Sequence, residues 1–252
     1  KPREYWKYMG LFRAYLESIM HAGKPVIARL NGIAVGGGNE SQLACDLTVM
    51  AEHAYLGQVG TSVGSVACGG ATQWLPLVVG DKRAREMLLL NPRIPARKAL
   101  EWGLANVVVP SVTKDGTFVE NPAPEQIDLA QKKKDGWAID LSKLDAAVAD
   151  IVAKLKDKFV ECTRYTRIQA NTLKDFVWSM TVPHAQDWLS THFGGIEPYE
   201  GMQAFVEKRK VNFAGVRQSE FLWGPPAKNC PCGAKGIPAE FTFCGKCGNK
   251  LG

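Results

Sequence analysis

The 252-residue sequence lacks several features that would place it in special classes of protein. It has no run of about 18 apolar residues, the length that a helix needs to cross a membrane. We also expect no secretory leader, and therefore a cytoplasmic protein with no membrane partner. Only four histidines are present, and His53, His184 and His192 show no motif spacing. Structural roles are therefore expected for these histidines.

The positions of the cysteines and the size of the net charge also exclude some classes of protein. Seven cysteines could in principle form disulfides, but four of them fall in the tail after residue 229. This spacing favours reduced cytosolic thiols and a metal-binding tail over a disulfide framework. The net charge of +6 is modest and spread along the chain. It gives little reason to expect a nucleic-acid partner.

What the sequence does contain is a glycine-rich segment, residues 24–73, around which the rest can be organised. Residues 26–30 and 33–35 are short apolar runs rich in β-branched side chains, separated by an Asn-Gly pair. This pattern predicts two strands. Three glycines at 36–38 follow, and a helix-compatible run begins directly after them.

A glycine turn between a strand and a helix predicts a binding site for a negatively charged oxygen. Glycine allows the backbone to come close to a ligand. The first N–H groups of the helix have no acceptor within it, and the helix dipole favours negative charge there. A carbonyl oxygen that becomes an oxyanion during a reaction fits such a site.

Several segments resemble, in order and spacing, the signature segments of the crotonase (enoyl-CoA hydratase/isomerase) superfamily. They lie within residues 24–110 and read KPVIARLNG, AVGGGNE, ACDL, LGQVG, GGATQWLPLVVG and ARKALEWGLANVVVP. The resemblance implies an α/β fold, with a crotonase-type ββα spiral core followed by a C-terminal helical region. In crotonases an earlier segment supplies the first oxyanion-hole amide. No matching segment is found here and residue 1 is Lys, so the chain is expected to lack the N-terminal part of the fold.

The same resemblance implies catalytic roles for residues at the glycine turn. Gly37 and Gly38 match the turn whose backbone binds the thioester oxygen, with Gly38 as the expected donor. Glu40 matches the first of two catalytic carboxylates in hydratases of the family. A carboxylate near a helix N-terminus is stabilised as the anion, which suits a general base. The alternative for each is a structural role in the turn or helix.

The second hydratase carboxylate is missing, because Gly60 stands where those enzymes have glutamate. Thr61, Ser62 and Ser65 could offer hydroxyl groups, although turn chemistry explains them equally well. Ser65 is retained as a candidate catalytic residue, and Gly60 as a position that leaves room for a cyclic substrate or a water. Cys68 has no histidine close in sequence, so a nucleophilic role is not expected.

Glu40, Gly60 and a long insertion after residue 110 resemble the ring-opening hydrolase branch of the superfamily. Such enzymes add water to a cyclic oxo-acyl-CoA and then cleave its ring hydrolytically, in anaerobic degradation of aromatic compounds. Two alternatives remain open. The protein could be a simple enoyl-CoA hydratase or isomerase that uses Glu40 alone, or a non-catalytic scaffold whose tail binds a partner.

The resemblance also implies that coenzyme A is bound as the substrate thioester. In crotonases basic residues of the C-terminal helices contact the phosphates, a part that Lys208, Arg209 and Lys210 fit. A solvated basic helix end is the alternative. The family further implies a homotrimer or a hexamer formed from two trimers.

The last part of the sequence resembles a zinc ribbon. Cys230-Pro-Cys232-Gly and Cys244-Gly-Lys-Cys247-Gly are two glycine-bearing pairs, and four thiolates suit a structural zinc. The first pair is one residue shorter than the usual C-x-x-C spacing.

The predicted organisation follows from these segments. It comprises a spiral core at 1–110, an exposed insertion at 111–140, a helical and oligomerisation region at 141–220, a linker at 221–229 and the ribbon at 230–252. Helices are predicted at 1–21, 81–90, 95–103, 140–159, 163–177, 182–193 and 198–213, and a strand at 107–109.

Overall fold

The computed structural model of the protein describes residues 2–217, 228–235, 237 and 241–251. The chain divides into two compact units. The larger unit contains Phe12–Val59 and Ala67–Val182, and the smaller contains Lys1–Leu11, Gly60–Val66 and Pro183–Gly252. Within the described residues, no helix combines the length and the apolar character needed to span a bilayer.

The described residues form ten α-helices and nine strands. The helices are α1 (Pro2–Met20), α2 (Gly37–Ala44), α3 (Ala71–Val79), α4 (Asp81–Leu90), α5 (Ala96–Glu101), α6 (Pro124–Gln131), α7 (Ser142–Lys156), α8 (Val160–His192), α9 (Ile196–Val206) and α10 (Phe213–Arg217). The strands are β1 (Ile27–Leu30), β2 (Ala34–Val35), β3 (Leu47–Ala51), β4 (Tyr55–Gly57), β5 (Ile94–Pro95), β6 (Val107–Val109), β7 (Val112–Lys114), β8 (Thr117–Val119) and β9 (Trp137–Ile139).

The first four strands of the larger unit alternate between two sheets, in agreement with the predicted ββα spiral. The first sheet has the order β1-β3-β6 and is parallel throughout. The second has the order β2-β4-β5, with β2 parallel and β5 antiparallel to β4. A parallel neighbour needs a crossover connection. Helix α2 provides it here, since it lies between β2 and β3 in the chain.

The core of the larger unit is apolar and aromatic. Leu16, Met50, Leu56 and Trp74 are completely buried. The ring of Trp74 stacks on that of Trp178, which is also buried, with centroids 4.9 Å apart. Because α1 and α8 contribute Leu16 and Trp178 to one cluster with the strands, these helices are part of the core that supports the glycine turn.

The insertion is more ordered than its composition indicates. Strands β7, β8 and β9 form a third, antiparallel sheet in the order β8-β7-β9, and α6 packs near it. Val112 and Ala130 are buried, although many of the surrounding residues are exposed, as predicted. Short strands between glycine turns carry little periodicity, which explains why the sequence pattern did not reveal them.

Most predicted helices are confirmed, but two of them form one. The predicted helices at 163–177 and 182–193 are parts of α8, which contains Pro183 in its interior. The prediction of a break was wrong because the buried face continues across the proline through Val182 and Leu189. The closing helix predicted at 198–213 is α9, with α10 after it.

The predicted linker at 221–229 falls outside the described residues except for Lys228 and Asn229. The proposed domain boundaries at 110, 140 and 220 remain a prediction. In the ribbon region, isolated bridges pair Lys228 with Ile237 and Phe243 with Lys250.

Candidate functional site

The glycine turn joins β2 to α2 and has a fixed shape. Gly36 has a φ of 55°, in the left-handed region that favours glycine. Its N–H donates to the Gly57 carbonyl at 3.1 Å, and its own carbonyl accepts from the Glu40 N–H at 3.0 Å. The turn is therefore attached to β4 on one side and continues directly into the helix on the other.

Gly37 and Gly38 lie at the first two positions of α2. Their N–H groups have no carbonyl four residues earlier within the helix and face its N-terminal end, where the dipole attracts negative charge. A Cβ atom at Gly38 would meet only the Ala34 Cβ, at 3.8 Å. Packing within the chain therefore does not require a glycine at 38.

Glu40 is buried, with 5% of its surface exposed. It belongs to α2, but its carboxylate lies at the N-terminus of α3. Oε1 accepts a hydrogen bond from the Ala71 N–H at 3.3 Å, and the Gly69 N–H also donates to this carboxylate. The side chain thus connects the helix that carries the glycine turn to the start of the next one.

Burial raises the pKa of Glu40 to about 7, although hydrogen bonds from the Ala71 and Gly69 amides oppose the shift. Among the described residues, no second carboxylate contributes to the raised pKa. The cause is therefore removal from water rather than like-charge repulsion. A carboxyl group with this pKa can both accept and donate a proton near neutral pH.

Phe12 and Gly69 form the wall beside Glu40. A Cβ atom at Gly69 would lie 2.3 Å from the Phe12 ring and 2.7 Å from Glu40 Oε2. A Cβ at Gly37 would lie 3.3 Å from the same ring. The phenyl ring therefore reaches both glycine segments, and only a residue without a side chain fits at 69.

Sequence reasoning missed the contribution of a second pair of glycines, Gly69 and Gly70, which stand directly before α3. Gly70 has a φ of 112°, and its N–H donates to Gln73 Oε1 at 3.2 Å. The Gln73 amide donates in turn to the Cys68 carbonyl at 3.2 Å. Two glycines immediately before a helical run were visible in the sequence and could have indicated a second helix N-terminus that holds a ligand or a side chain.

The Cys68 side chain is buried. Burial and the nearby Glu40 charge raise the pKa of its thiol to about 12. Because the thiolate is the nucleophilic form of cysteine, this shift disfavours a nucleophilic role.

Gly60 and Ser65 belong to the smaller unit, whereas Gly37, Gly38 and Glu40 belong to the larger one. Gly60 begins a short 3-10 turn and is buried. Its carbonyl accepts hydrogen bonds from the N–H groups of Val63, at 3.0 Å, and Ser65, at 2.8 Å. Ser65 is half-buried.

The three basic residues after α9 differ in their surroundings. Arg209 forms a bidentate pair with Glu200, at 2.6 and 2.8 Å, and its Nε lies 2.5 Å from Glu207 Oε2. The guanidinium, helped by the Asn212 N–H, lowers the pKa of Glu200 to about 2. Lys208 and Lys210 are exposed and pair with no carboxylate among the described residues. They are the two more accessible cations of this group.

The structure brings the four cysteines of the tail together. The Sγ atoms of Cys230, Cys232, Cys244 and Cys247 all lie within 4.8 Å of one another. Between the two cysteine pairs, Cys230 Sγ is 3.4 Å from Cys247 Sγ, and Cys232 Sγ is 3.7 Å from Cys244 Sγ.

These distances fit a tetrahedral zinc ion. Four sulfurs at about 2.3 Å from a central zinc are separated from one another by about 3.8 Å. The N–H groups of Lys246 and Cys247 point to the Cys244 sulfur. Gly233 and Gly248, both with positive φ, allow the tight turns that this requires. The short first spacing therefore does not prevent the four sulfurs from converging.

Comparison with known proteins shows a family similarity over the first part of the chain. Residues 1–123, just under half of the 252 residues, match the family of enoyl-CoA hydratases and isomerases. This match contains the glycine turn and the strands of the spiral core, so it supports the crotonase-type fold that the sequence motifs predicted.

Two relatives align with most of the chain. It is 32% identical over 243 residues to a 6-oxocyclohex-1-ene-1-carbonyl-CoA hydrolase from Thauera aromatica, covering 86% of this chain and 64% of the relative. It is 33% identical over 242 residues to an enzyme of the same name from Geobacter metallireducens, covering 86% of this chain and 63% of the relative. The chain therefore spans less than two thirds of either relative.

A solved crotonase structure supports the same fold. The crystal structure of an enoyl-CoA hydratase from Mycobacterium avium subsp. paratuberculosis K-10 superposes with a TM-score of 0.67 at 25% sequence identity. The match covers 82% of this chain and 72% of that structure.

Proposed function

We propose that the protein is an acyl-CoA-processing crotonase that adds water to a cyclic oxo-acyl-CoA and then opens the ring by hydrolysis. The observation that carries the proposal is the buried Glu40, whose pKa of about 7 suits an acid/base group, next to the glycine turn. The identity of 32% and 33% to two 6-oxocyclohex-1-ene-1-carbonyl-CoA hydrolases supports this substrate class. Catalysis is assigned to Glu40 and to the amides of Gly38 and Gly37.

The first step is hydration of the ring alkene. Glu40 accepts a proton from water as the water oxygen bonds to the β-carbon. The alkene electron pair moves to the thioester as an enolate, and the α-carbon then takes the proton that Glu40 accepted. The Gly38 N–H holds the enolate oxygen. Loss of such a donor typically reduces the rate by about 100-fold or more.

The second step cleaves the bond between the ring ketone carbon and the α-carbon. A second water adds to the ketone as Glu40 accepts its proton, which gives a tetrahedral intermediate. When this collapses, the ketone carbon becomes a carboxylic acid and the electron pair of the broken bond forms the thioester enolate. The α-carbon of the enolate then takes the proton that Glu40 accepted. Both steps place charge on the same oxygen, so one Gly38 amide can serve both.

Gly60 supports this proposal over a hydratase with two carboxylates. With glycine in place of the second acid, concerted water addition between two glutamates is not available. By the sequence resemblance, Gly60 is proposed as a position that leaves room for a cyclic substrate or a water, and Ser65 as a candidate hydroxyl group. A simple hydratase that uses Glu40 alone is the second candidate, favoured by the similarity to the mycobacterial enoyl-CoA hydratase.

The remaining assignments follow from the family and from the surface. We assign the exposed Lys208 and Lys210 to the phosphates of coenzyme A, with Arg209 held beside them in its pair with Glu200. The four tail cysteines are assigned to a structural zinc. A homotrimer or a hexamer in the cytoplasm is proposed. One side of α8 exposes large apolar side chains in this chain, which a second copy would cover: Tyr165, Ile168, Leu173, Phe176 and Met180.

Product analysis by mass spectrometry tests the proposal. The full-length protein is incubated with 6-oxocyclohex-1-ene-1-carbonyl-CoA and with crotonyl-CoA. Ring opening should add two waters to the cyclic ester, whereas hydration alone adds one. Turnover of crotonyl-CoA only would replace the hydrolase by the hydratase, and binding of both esters without turnover would favour a scaffold.

A further inference from the structure

A cavity lies between the insertion and the spiral core. Its volume is about 510 Å³, and all of its lining residues belong to the larger unit. The core side contains Ala54 and Tyr55, at the start of β4, whereas the glycine turn is bonded to Gly57 at the end of that strand. We name this cavity the insertion pocket.

Arg93 contributes an unneutralised positive charge to the insertion pocket. Its guanidinium lies over the ring of Tyr55, 5.0 Å from the centroid, and both residues line the cavity. No carboxylate pairs with Arg93 in the described part of the chain. The stacked ring fixes the guanidinium while leaving its N–H edge available for a ligand.

Arg97 is held beside it by a buried carboxylate. Glu52 Oε1 accepts from Arg97 Nε at 2.8 Å and lies 2.7 Å from its Nη2. The same oxygen accepts from the backbone N–H of Asn121 at 3.1 Å, which ties the insertion to the core. The arginine side chain is 58% exposed, so its remaining Nη1 group can reach the cavity.

The insertion contributes apolar residues to the lining, next to the polar Asn121, Asp128 and Gln131. The apolar residues are Pro122, Pro124 and Ile127. Asp128, the remaining acid in the lining, is paired with Lys132 at 2.6 Å. Glu52 is paired with Arg97 through Oε1, and its Oε2 is buried with no partner among the described residues. Arg93 is the lining cation with no paired carboxylate.

We propose that the insertion pocket binds a small monoanion, a carboxylate carried on an apolar ring or short chain. The carboxylate lies against the Arg93 guanidinium and the outer edge of Arg97, a geometry that planar guanidinium groups favour. The apolar body packs against the prolines and Ile127. Because Asn121 and Glu52 join the two walls, the ligand fastens the insertion to the core.

This site goes beyond the proposed activity and does not depend on it. Its residues do not include Glu40 or either amide of the glycine turn. The monoanion acts as a second ligand and takes no part in the bond changes at the thioester. Its binding should therefore survive substitution of Glu40.

The test is a titration of the full chain with benzoate, followed by NMR line broadening of the ligand and by calorimetry. Arg93→Gln should weaken benzoate binding by at least about tenfold, the range for loss of a charge-assisted hydrogen bond. The matched control is Arg83→Gln, which removes an arginine stacked on Trp102 at 5.1 Å but outside the cavity. Arg83→Gln and Glu40→Gln should both bind as the unsubstituted chain does.

A second readout places the ligand. Benzoate should slow amide hydrogen exchange at 121–131 in the unsubstituted chain but not in Arg93→Gln. Inorganic phosphate, which lacks the apolar body, should bind at least about tenfold more weakly than benzoate. The proposal is overturned if benzoate shows no saturable binding, if Arg83→Gln loses as much affinity as Arg93→Gln, or if protection appears elsewhere in the chain only.

Discussion

The Glu40 carboxylate accepts a hydrogen bond from the backbone N–H of Ala71, with an N···O distance of 3.3 Å. The two residues are 31 positions apart and lie near the N-termini of α2 and α3. One helix therefore carries the acid, and the next helix provides partial positive charge to it. This contact limits how far burial can raise the pKa of Glu40.

Glu40→Gln should retain CoA-ester binding and lose turnover. The amide keeps the shape and can still accept from Ala71, but it cannot take a proton from water, so we expect a loss of about 100-fold or more. Single-turnover assays with the cyclic ester measure the loss, and calorimetry measures binding. Glu86→Gln, an exposed change on α4, should keep full activity. Equal activity of the two variants would remove Glu40 from the mechanism.

The activity should also depend on pH through this group. A general base must be deprotonated, so kcat/KM should rise as pH increases through about 7, the pKa of Glu40. Phe12→Ala should admit water to the carboxylate, lower its pKa and move the rise to lower pH. Leu11→Ala, a change at an exposed position, is the control. If kcat/KM of Phe12→Ala rises at the same pH as in the unsubstituted protein, the Phe12 ring does not cause the dehydration of the Glu40 carboxylate.

The free energy of unfolding should fall as pH rises, whereas the activity should rise. The pKa of Glu40 is raised in the native protein from its ordinary 4.5 to about 7, so the native state binds this proton more tightly than the unfolded state. The resulting stabilisation is complete below about pH 4.5 and is lost as pH rises through about 7, a change on the order of 3 kcal/mol. Urea unfolding of Glu40→Gln should lack this part of the pH dependence. If the unfolding free energies of both proteins change with pH in parallel, Glu40 is not the cause.

Gly69→Ala should disturb the site, whereas Gly38→Ala should fold normally. The new Cβ at 69 would overlap Phe12 and Glu40, and relief of such overpacking costs about 1–3 kcal/mol. The space at 38 is open up to Ala34, so thermal unfolding should be little changed there. We expect Gly38→Ala to lose activity through contact with the ligand instead. Similar melting temperatures for both variants would contradict this distinction.

Much of the site could be predicted from sequence, because local signals mark it. The glycine turn, Glu40 and the cysteine pairs lie in short segments whose spacing indicates their chemistry. The contacts of Phe12 and Gly69 with Glu40 could not be found in this way, since they join separate parts of the chain. The continuation of α8 through Pro183 was missed for the same reason. Tertiary burial overrides a local helix-breaking residue.

The tail should bind one zinc per chain. Replacing Cys244 and Cys247 by serine removes two of the four sulfur ligands, and metal analysis should then show loss of the zinc. Cys162→Ser, at an exposed cysteine outside the cluster, should retain it. Since metal binding and folding are coupled in such modules, a chelator should increase hydrogen exchange at 228–251 before the core melts. Unchanged zinc content in the double variant would exclude this site.

The basic residues after α9 should separate into two roles. Lys208→Ala and Lys210→Ala should weaken CoA-ester binding, more strongly at low salt, because exposed charges are screened by ions. Arg209→Lys should instead affect local stability, since lysine cannot reproduce the bidentate pair with Glu200. Calorimetry at two salt concentrations and thermal unfolding measure these effects. A loss of affinity confined to the Arg209 variant would reverse the assignment.

Phe12 and Gly69 occupy one shared volume, which couples two positions far apart in the chain. A Cβ at 69 would overlap both the Phe12 ring and Glu40 Oε2, so a smaller residue at 12 removes one of the two overlaps. The double variant Phe12→Leu/Gly69→Ala should accordingly recover part of the stability that Gly69→Ala alone loses. Any change in the packing around the Glu40 carboxylate therefore depends jointly on Phe12 in α1 and on Gly69 in the loop before α3.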